Sequence, residues 1–161
     1  MIEQFGVHVH GFDPTPKSIA WVRKQKLHSQ FRFHEIGIAD FDGTATFVQA
    51  HEVSFTMVDR PDDGRPEIPA PVRRLQTIAD MSGHRRIDVL KMDIEGAESA
   101  VIEDLARADV GVEQILVEFH HRLGDRGTLE ATGRAFRTLN RLGFKLFYRS
   151  ATGRECSFIR V

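Results

Sequence analysis

Residues 87–105 carry a strand-like stretch that passes through a short turn into a helix-like one. The stretch from Ile87 to Met92 is mostly apolar, at Ile87, Val89, Leu90 and Met92, which is typical of a buried strand. After Gly96 the apolar residues recur at helical spacing, at Ala97, Val101 and Leu105. A strand followed directly by a helix is the repeating unit of α/β folds, so this stretch favours a sheet with helices packed against it.

The same alternation runs along the rest of the chain. Strands are predicted at residues 5–12, 31–38, 44–49, 53–58, 87–92, 114–119, 144–148 and 155–161. Helices are predicted after Thr15, with Pro16 at the first position, at residues 75–81, after Gly96, and from Leu129 to Leu139 before Gly143. We therefore expect an α/β fold with a mostly parallel sheet, helices on both faces and an antiparallel C-terminal strand pair. Four prolines in residues 59–71 predict a surface loop there.

Composition limits the domain organisation and the classes of partner. A chain of 161 residues, 41% of them hydrophobic, is expected to form one domain over residues 1–161. With 22 Lys and Arg against 23 Asp and Glu, no overall basic field favours nucleic acid or an acidic membrane as a partner. The single cysteine, Cys156, excludes an internal disulfide and a cysteine-based zinc site, and a cytoplasmic location is the default expectation.

Polar side chains collect where three predicted strands end. The carboxyl ends of parallel strands are where ligands bind in open α/β sheets. Period-two alternation places Glu118 and His120 on one side of their strand and His121 on the other. The residues that follow these strand ends are Asp13, Asp93, Glu95, Glu118, His120 and His121.

These side chains allow more than one chemistry. Imidazole and carboxylates together suit a divalent cation, although we assign no metal site from the sequence because strand-end histidines usually only make hydrogen bonds. His120 or Asp93 could instead act as a general base. The structural alternatives are an Asp-Pro turn at Asp13 and, for Glu95 and Glu98, acids favoured by the start of a helix.

Five stretches of the sequence resemble a known family. "IDVLKMDIEGAE" and the later "ILVEFH" look like the signature of FkbM-type methyltransferases. "VHGFDPTPKSIAWV", "GIADFDGTATF" and "LGFKLFYRS" resemble the second strand with its helix, the third strand and the penultimate strand of that family. The resemblance implies a class I, Rossmann-like fold and S-adenosylmethionine as the cofactor.

The resemblance also implies roles for the residues at the strand ends. Asp13 matches the acid that binds the ribose hydroxyls, Asp40 could lie near the adenine, and Asp93 lies at the cofactor edge. Asp93, Glu118 and His120 would be catalytic, and Glu95 and His121 would contact the substrate. The implied methyl acceptor is a small molecule or a carbohydrate, methylated on oxygen.

One expected feature of the family is missing. No GxGxxG or similar glycine-rich loop occurs in the 161 residues, and the sequence starts at what resembles the second strand. In the family, the first strand lies between those that resemble residues 5–12 and 87–92, so its absence would leave unpaired edges that favour self-association as a homo-oligomer. We expect an N-terminally truncated class I methyltransferase fold. The alternative is a non-catalytic Rossmann-like remnant that acts as an interaction module, and a nicotinamide-dependent oxidoreductase is disfavoured by the same missing loop.

Overall fold

A computed structural model of the chain describes residues 1–49, 55–58, 64–121 and 128–161. The described residues form five helices and ten strands. In chain order these are α1 (Ile2–Phe5), β1 (Val9–Phe12), α2 (Pro16–Val22), β2 (Phe31–His34), β3 (Gly37–Ile38), β4 (Gly43–Gln49), β5 (Phe55–Val58), β6 (Glu67–Arg73), α3 (Leu75–Ser82), β7 (Arg86–Met92), α4 (Glu98–Leu105), β8 (Gly111–Glu118), α5 (Leu129–Arg141), β9 (Phe144–Arg149) and β10 (Glu155–Arg160).

The strands form three sheets instead of the single sheet predicted. One sheet is the parallel pair β1-β2, the second has the order β7-β8-β10-β9, and the third has the order β3-β6-β4-β5. Three of the pairings in the described chain are parallel and four are antiparallel. The α/β class and the antiparallel pair β9-β10 are confirmed, whereas a mostly parallel sheet is not observed among the described residues.

The first two predicted strands differ most from the observed ones. The strand predicted from Phe5 begins at Val9, because Phe5 ends α1 and Gly6 adopts a left-handed conformation with φ 64°. The strand predicted at residues 31–38 is split, with β2 in the first sheet and β3 in the third. A Cβ atom at Gly37 would lie 3.1 Å from Cγ1 of Val72, so a larger residue would have to push that side chain aside for β3 to approach β6 this closely.

The loop predicted at residues 59–71 is wrong over its second half, where β6 forms. β6 pairs with β4 without interruption from Glu67 to Val72. Pro69 and Pro71 are two residues apart, so both missing N–H groups face the same edge, away from β4. On that edge β3 pairs with β6 only at Val72 and Arg73, so the pairing of β3 with β6 does not need an N–H group at Pro69 or Pro71. Residues 59–63 of the predicted loop, and 53–54 of the strand predicted before it, lie outside the described residues.

Two hydrophobic clusters hold the described structure together. The larger combines β7, β8, β9 and β10 with α3, α4 and α5, and includes Met92, Ile115 and Leu139. The smaller lies in the third sheet around Phe47 and Val72. Ile94 packs against both clusters, so the turn that follows β7 is anchored from two sides.

The first sheet is buried much less than the other two. In residues 1–36 only Thr15 is buried, and α2 contains no buried residue. Among the described residues β1 pairs only with β2, and β7 pairs only with β8 on its sheet edge. β1 and β7 therefore each have one edge without a strand partner among the described residues. None of the described helices is long and apolar enough to cross a lipid bilayer.

Candidate functional site

The carboxyl ends of β7 and β8 bring three acidic side chains together around His120. The two strands are parallel neighbours, with Met92 opposite Val117. Asp93 and Glu118 are the residues that follow this pair, so they lie side by side. The Nε2 atom of His120 lies 3.7 Å from Oδ1 of Asp93, 3.6 Å from Oε1 of Glu118 and 3.6 Å from Oε2 of Glu95. The predicted meeting of these four residues at one end of the sheet is observed.

His120 is oriented by Glu98, whose role the sequence did not indicate. Glu98 is 1% exposed, and its Oε1 atom accepts from Nδ1 of His120 at 2.8 Å. The same oxygen accepts from the backbone N–H groups of Gly96 at 3.1 Å and Ile94 at 3.3 Å. One buried carboxylate therefore holds both the turn after β7 and the imidazole from β8. Glu98 is the first residue of α4, and acids are favoured at helix starts. The sequence therefore gave no reason to assign it a second role.

The hydrogen bond from His120 determines which ring nitrogen carries the proton. An ionised carboxylate only accepts hydrogen bonds, so Nδ1 is the protonated atom in the neutral ring and the Nε2 lone pair faces the other three carboxylates. The hydrogen bond to Glu98 raises the pKa of His120, and burial opposes this rise. The negative charges of Glu98, Glu95 and Glu118 raise the pKa further.

Glu95 is held towards His120 by a strained turn. Its φ of 53° is the only positive φ at a non-glycine residue in the described part of the chain. Gly96 follows with φ 109°, and the carbonyl of Glu95 accepts from Oγ1 of Thr56 at 2.7 Å. Left-handed conformations at non-glycine residues cost energy and are concentrated at functional sites. The chain therefore does not stay extended as far as Glu95, but the turn still directs its carboxylate to the site.

Two permanent cations contact the acids of the site. Nη2 of Arg154 lies 2.8 Å from Oε1 of Glu118, and Nζ of Lys91 lies 3.7 Å from Oδ2 of Asp93. The Lys91 side chain is 72% exposed, so its attraction for Asp93 is weakened by solvent. Arg154 precedes β10 and reaches the site because β10 pairs with β8.

Asp13 joins this site through a small cavity. The cavity has a volume of about 220 Å³ and is lined by Asp13, Asp93 and Glu95. Its apolar wall consists of Phe12, Ile38, Phe47, Phe55 and Met57. Oδ1 of Asp13 accepts from the backbone N–H of Thr15 at 2.8 Å, so Asp13 does stabilise the predicted turn. Oδ2 makes no hydrogen bond within the described residues. The cavity is smaller than the roughly 300–1,000 Å³ usual for ligand pockets.

Two residues selected from the sequence lie elsewhere. Asp40 is exposed, follows β3 and does not line the cavity. His121 contacts Oγ1 of Thr132 on α5 through its Nδ1 atom at 2.9 Å, and its ring stacks on Phe119. His120 and His121 thus face different surroundings, as the strand alternation predicts, and the proposed contact of His121 with substrate stays a prediction.

A larger cavity lies away from the predicted residues. It has a volume of about 670 Å³, opens between α4 and α5, and is lined by four arginines, Arg107, Arg134, Arg137 and Arg141. Arg134 is already paired with Glu103 at 3.0 Å. No residue selected from the sequence lines this cavity.

Comparisons with known proteins place the chain in a family. The model of the methyltransferase FkbM domain matches residues 3–146. The human protein described as probable methyltransferase-like protein 24 is 32% identical over 117 residues, which cover 71% of this chain and 26% of the human protein. Its rat counterpart is 31% identical over 117 residues, covering 71% of this chain and 27% of the rat protein.

The chain thus spans about a quarter of the length of these relatives. No solved structure matches the chain significantly. The family match covers more than half of the residues and includes the turn after β7 and the end of β8. The chain belongs to the FkbM methyltransferase family.

Proposed function

We propose that this chain is the methyltransferase domain of an enzyme that uses S-adenosylmethionine to methylate a hydroxyl group of a small molecule or a carbohydrate. The observation that carries the proposal is the buried pair His120 and Glu98, placed beside a cavity that reaches Asp13. S-adenosylmethionine, when bound, supplies an electrophilic methyl group to a nucleophilic oxygen. The side chains of the chain have to bind the cofactor and accept the proton of the acceptor.

The cavity at Asp13 suits the adenosine half of the cofactor. Oδ2 of Asp13 makes no hydrogen bond within the described residues and could accept from ribose hydroxyls. Phe12, Ile38 and Phe47 give the apolar surface that a purine ring needs. The residues present therefore fit part of the cofactor, while the methionine half lacks the glycine-rich loop that is usual in this fold.

The cluster around His120 suits a hydroxylated acceptor. Asp93, Glu95 and Glu118 supply carboxylate oxygens that accept hydrogen bonds from sugar hydroxyls. The negative charge of these groups disfavours a phosphorylated or nucleic-acid acceptor. In the neutral form, Nε2 of His120 can take the acceptor proton, and Glu98 stabilises the imidazolium that results.

Calorimetric titration with S-adenosylhomocysteine tests the proposal. We expect binding in the micromolar range and at least tenfold weaker binding by D13N. This variant keeps the oxygen that accepts from Thr15 and replaces the second oxygen by an amide. The matched control is D88N, which removes the same charge from an exposed position at the other end of β7. No heat at millimolar ligand would refute methyl transfer by this chain.

The second candidate is a non-catalytic domain that keeps the fold but not the cofactor. The small cavity favours it, since about 220 Å³ is below the usual size of a ligand pocket. The same titration separates the two candidates, because only the enzyme has to bind S-adenosylhomocysteine. Equal binding by wild type and D13N would locate the cofactor away from Asp13.

A further inference from the structure

We infer that Asp93, Glu118 and His120 form a binding site for a divalent metal ion of the first transition series, such as Mn²⁺. One potential ligand atom from each of the three residues lies within 4.8 Å of those of the other two. Asp93 directly follows β7, Glu118 ends β8, and His120 lies two positions beyond Glu118. The ligands are therefore held by paired strands, which limits how far they can move apart.

His120 provides the evidence that this cluster is more than a group of acids. Its side chain is 5% exposed, and Nε2 faces three carboxylates at 3.6–3.7 Å. These distances are too long for hydrogen bonds, so this buried nitrogen has no hydrogen-bond partner within the described residues. A buried polar atom without a partner is costly. A metal ion between Nε2 and the carboxylates would remove that cost.

Glu98 gives His120 the orientation that metal-binding histidines usually have. Metal-bound imidazoles almost always donate their second N–H to a carboxylate, a carbonyl or a water molecule. Here Nδ1 of His120 donates to Glu98 at 2.8 Å, which directs the Nε2 lone pair towards Asp93 and Glu118. The backbone N–H groups of Gly96 and Ile94 hold Glu98 in turn.

The charges around His120 also favour a divalent ion. Four carboxylates surround the ring, from Asp93, Glu95, Glu98 and Glu118. In the described part of the chain, the side-chain cations that contact these acids are Lys91 and Arg154. Two negative charges are thus left over when His120 is neutral. A proton on His120 offsets one of them, whereas a divalent metal ion offsets both.

The donor set indicates the kind of metal. Carboxylates suit Mg²⁺, Ca²⁺ and Mn²⁺, while imidazole suits Zn²⁺ and other first-row ions. A site with two carboxylates and one imidazole therefore suits a first-row divalent ion that also accepts carboxylates, and Mn²⁺ is such an ion. Glu95 is close enough to be a further ligand or to hydrogen-bond a metal-bound water. With a metal bound, the ion would lower the pKa of an acceptor hydroxyl and Nε2 of His120 would be a ligand. The role of His120 as a base then applies only to the metal-free site. The catalytic role of the metal rests on the proposed methyl transfer, but metal binding itself does not.

Electron paramagnetic resonance of added Mn²⁺ tests the site on the full chain without any cofactor. Bound Mn²⁺ loses the sharp six-line signal of the free ion, so a titration gives the stoichiometry and the affinity. We expect one Mn²⁺ per chain, with at least tenfold weaker binding by D93N and by E118Q. The matched controls D88N and E113Q remove the same charges at the other ends of β7 and β8, and they should bind as the wild type does.

A third variant tests the positioning role of Glu98. Loss of such a second partner typically weakens metal binding tenfold to a hundredfold, and E98Q should do so although it does not touch the metal. The full six-line signal of the free ion at millimolar Mn²⁺ would overturn the inference. Equal binding by wild type, D93N and E118Q would also overturn it, as would equal weakening by the controls. Thermal melts confirm that each variant is folded. Because the titration contains no cofactor, a failure to bind Mn²⁺ is distinguishable from a failure to bind S-adenosylhomocysteine.

Discussion

Glu98 should contribute more to stability than any other acid at a helix start in this chain. Its Oε1 atom accepts three hydrogen bonds, from His120 and from the backbone of Ile94 and Gly96. E98A removes the acceptor and leaves these donors buried. E98Q keeps the shape and one accepting oxygen but removes the charge.

The expected losses follow from these contacts. A buried donor without a partner costs roughly 1–3 kcal/mol. The two shorter bonds, to His120 and Gly96, therefore predict a loss of about 4 kcal/mol for E98A. Hydrogen bonds to a charged group are about twice as strong as neutral ones, so E98Q should lose about 1–2 kcal/mol. Folded domains have only about 5–15 kcal/mol of stability, so E98A should remove a large fraction of the free energy of unfolding.

Urea denaturation measures both variants, with E130A as a matched control. Glu130 also lies in the first turn of a helix, α5, but its side chain is 84% exposed and, within the described residues, pairs with Arg134 at 3.3 Å. We expect E130A to change the free energy of unfolding by less than about 0.5 kcal/mol. If E98A and E130A lower the free energy of unfolding equally little, Glu98 acts only through the helix dipole and does not hold His120 in place.

Two further predictions concern contacts between distant parts of the chain. Burial, followed by the positive charge of neighbouring groups, lowers the pKa of His10 and of His34, so the unfolded chain binds more protons below about pH 6.5. Thermal stability should therefore fall as the pH drops from 7.5 to 5, and the fall should be smaller in H34Q than in the control H28Q. Arg74 makes a bidentate hydrogen bond with the buried carboxylate of Asp104 at 2.8 and 2.9 Å, so R74A should lower the urea midpoint more than the double variant R74A/D104A does.

Controls for these two predictions are present in the same chain. The His28 side chain is exposed, and among the described residues it accepts a hydrogen bond from the backbone N–H of Gln30, so H28Q should keep the pH dependence of the wild type. A pH dependence equal in H34Q and H28Q would contradict the first prediction. Arg23 and Glu35 form an exposed ion pair, and such pairs contribute about 0–1 kcal/mol. Additive effects of R74A and D104A, as expected for that exposed pair, would contradict the second.

The histidines with lowered pKa values lie where the first sheet meets the rest of the structure. Nδ1 of His10 contacts Nε2 of His34 at 3.0 Å, and Nε2 of His10 lies 3.4 Å from Nε2 of His84, just before β7. Burial lowers the pKa of His10 most, and positive charge on His34, His84, Arg32 and His8 lowers it further. Protonation should therefore weaken this contact before it affects the larger hydrophobic cluster.

Most of the secondary structure could be predicted because its signals are local. The helix beginning at Pro16 after Thr15, the strand ending at Met92 and the helix from Leu129 all lie close to where the sequence places them. The errors occur where a distant partner decides the outcome. β6 exists despite its prolines because β4 pairs along its other edge, and residues 31–38 divide because Gly37 approaches Val72 on β6.

The candidate site divides in the same way. The strand ends at Asp93 and Glu118 could be located from the apolar runs that precede them, and the carboxyl ends of parallel neighbours meet at one edge. The sequence by itself thus determined the family signature, the α/β class and the set of acids near His120. Only the tertiary structure decided that Glu98 orients His120 and that Arg154 reaches Glu118. His120 lies 22 residues from Glu98, and a hydrogen bond across that separation depends on how β8 packs beside β7, which no local pattern specifies.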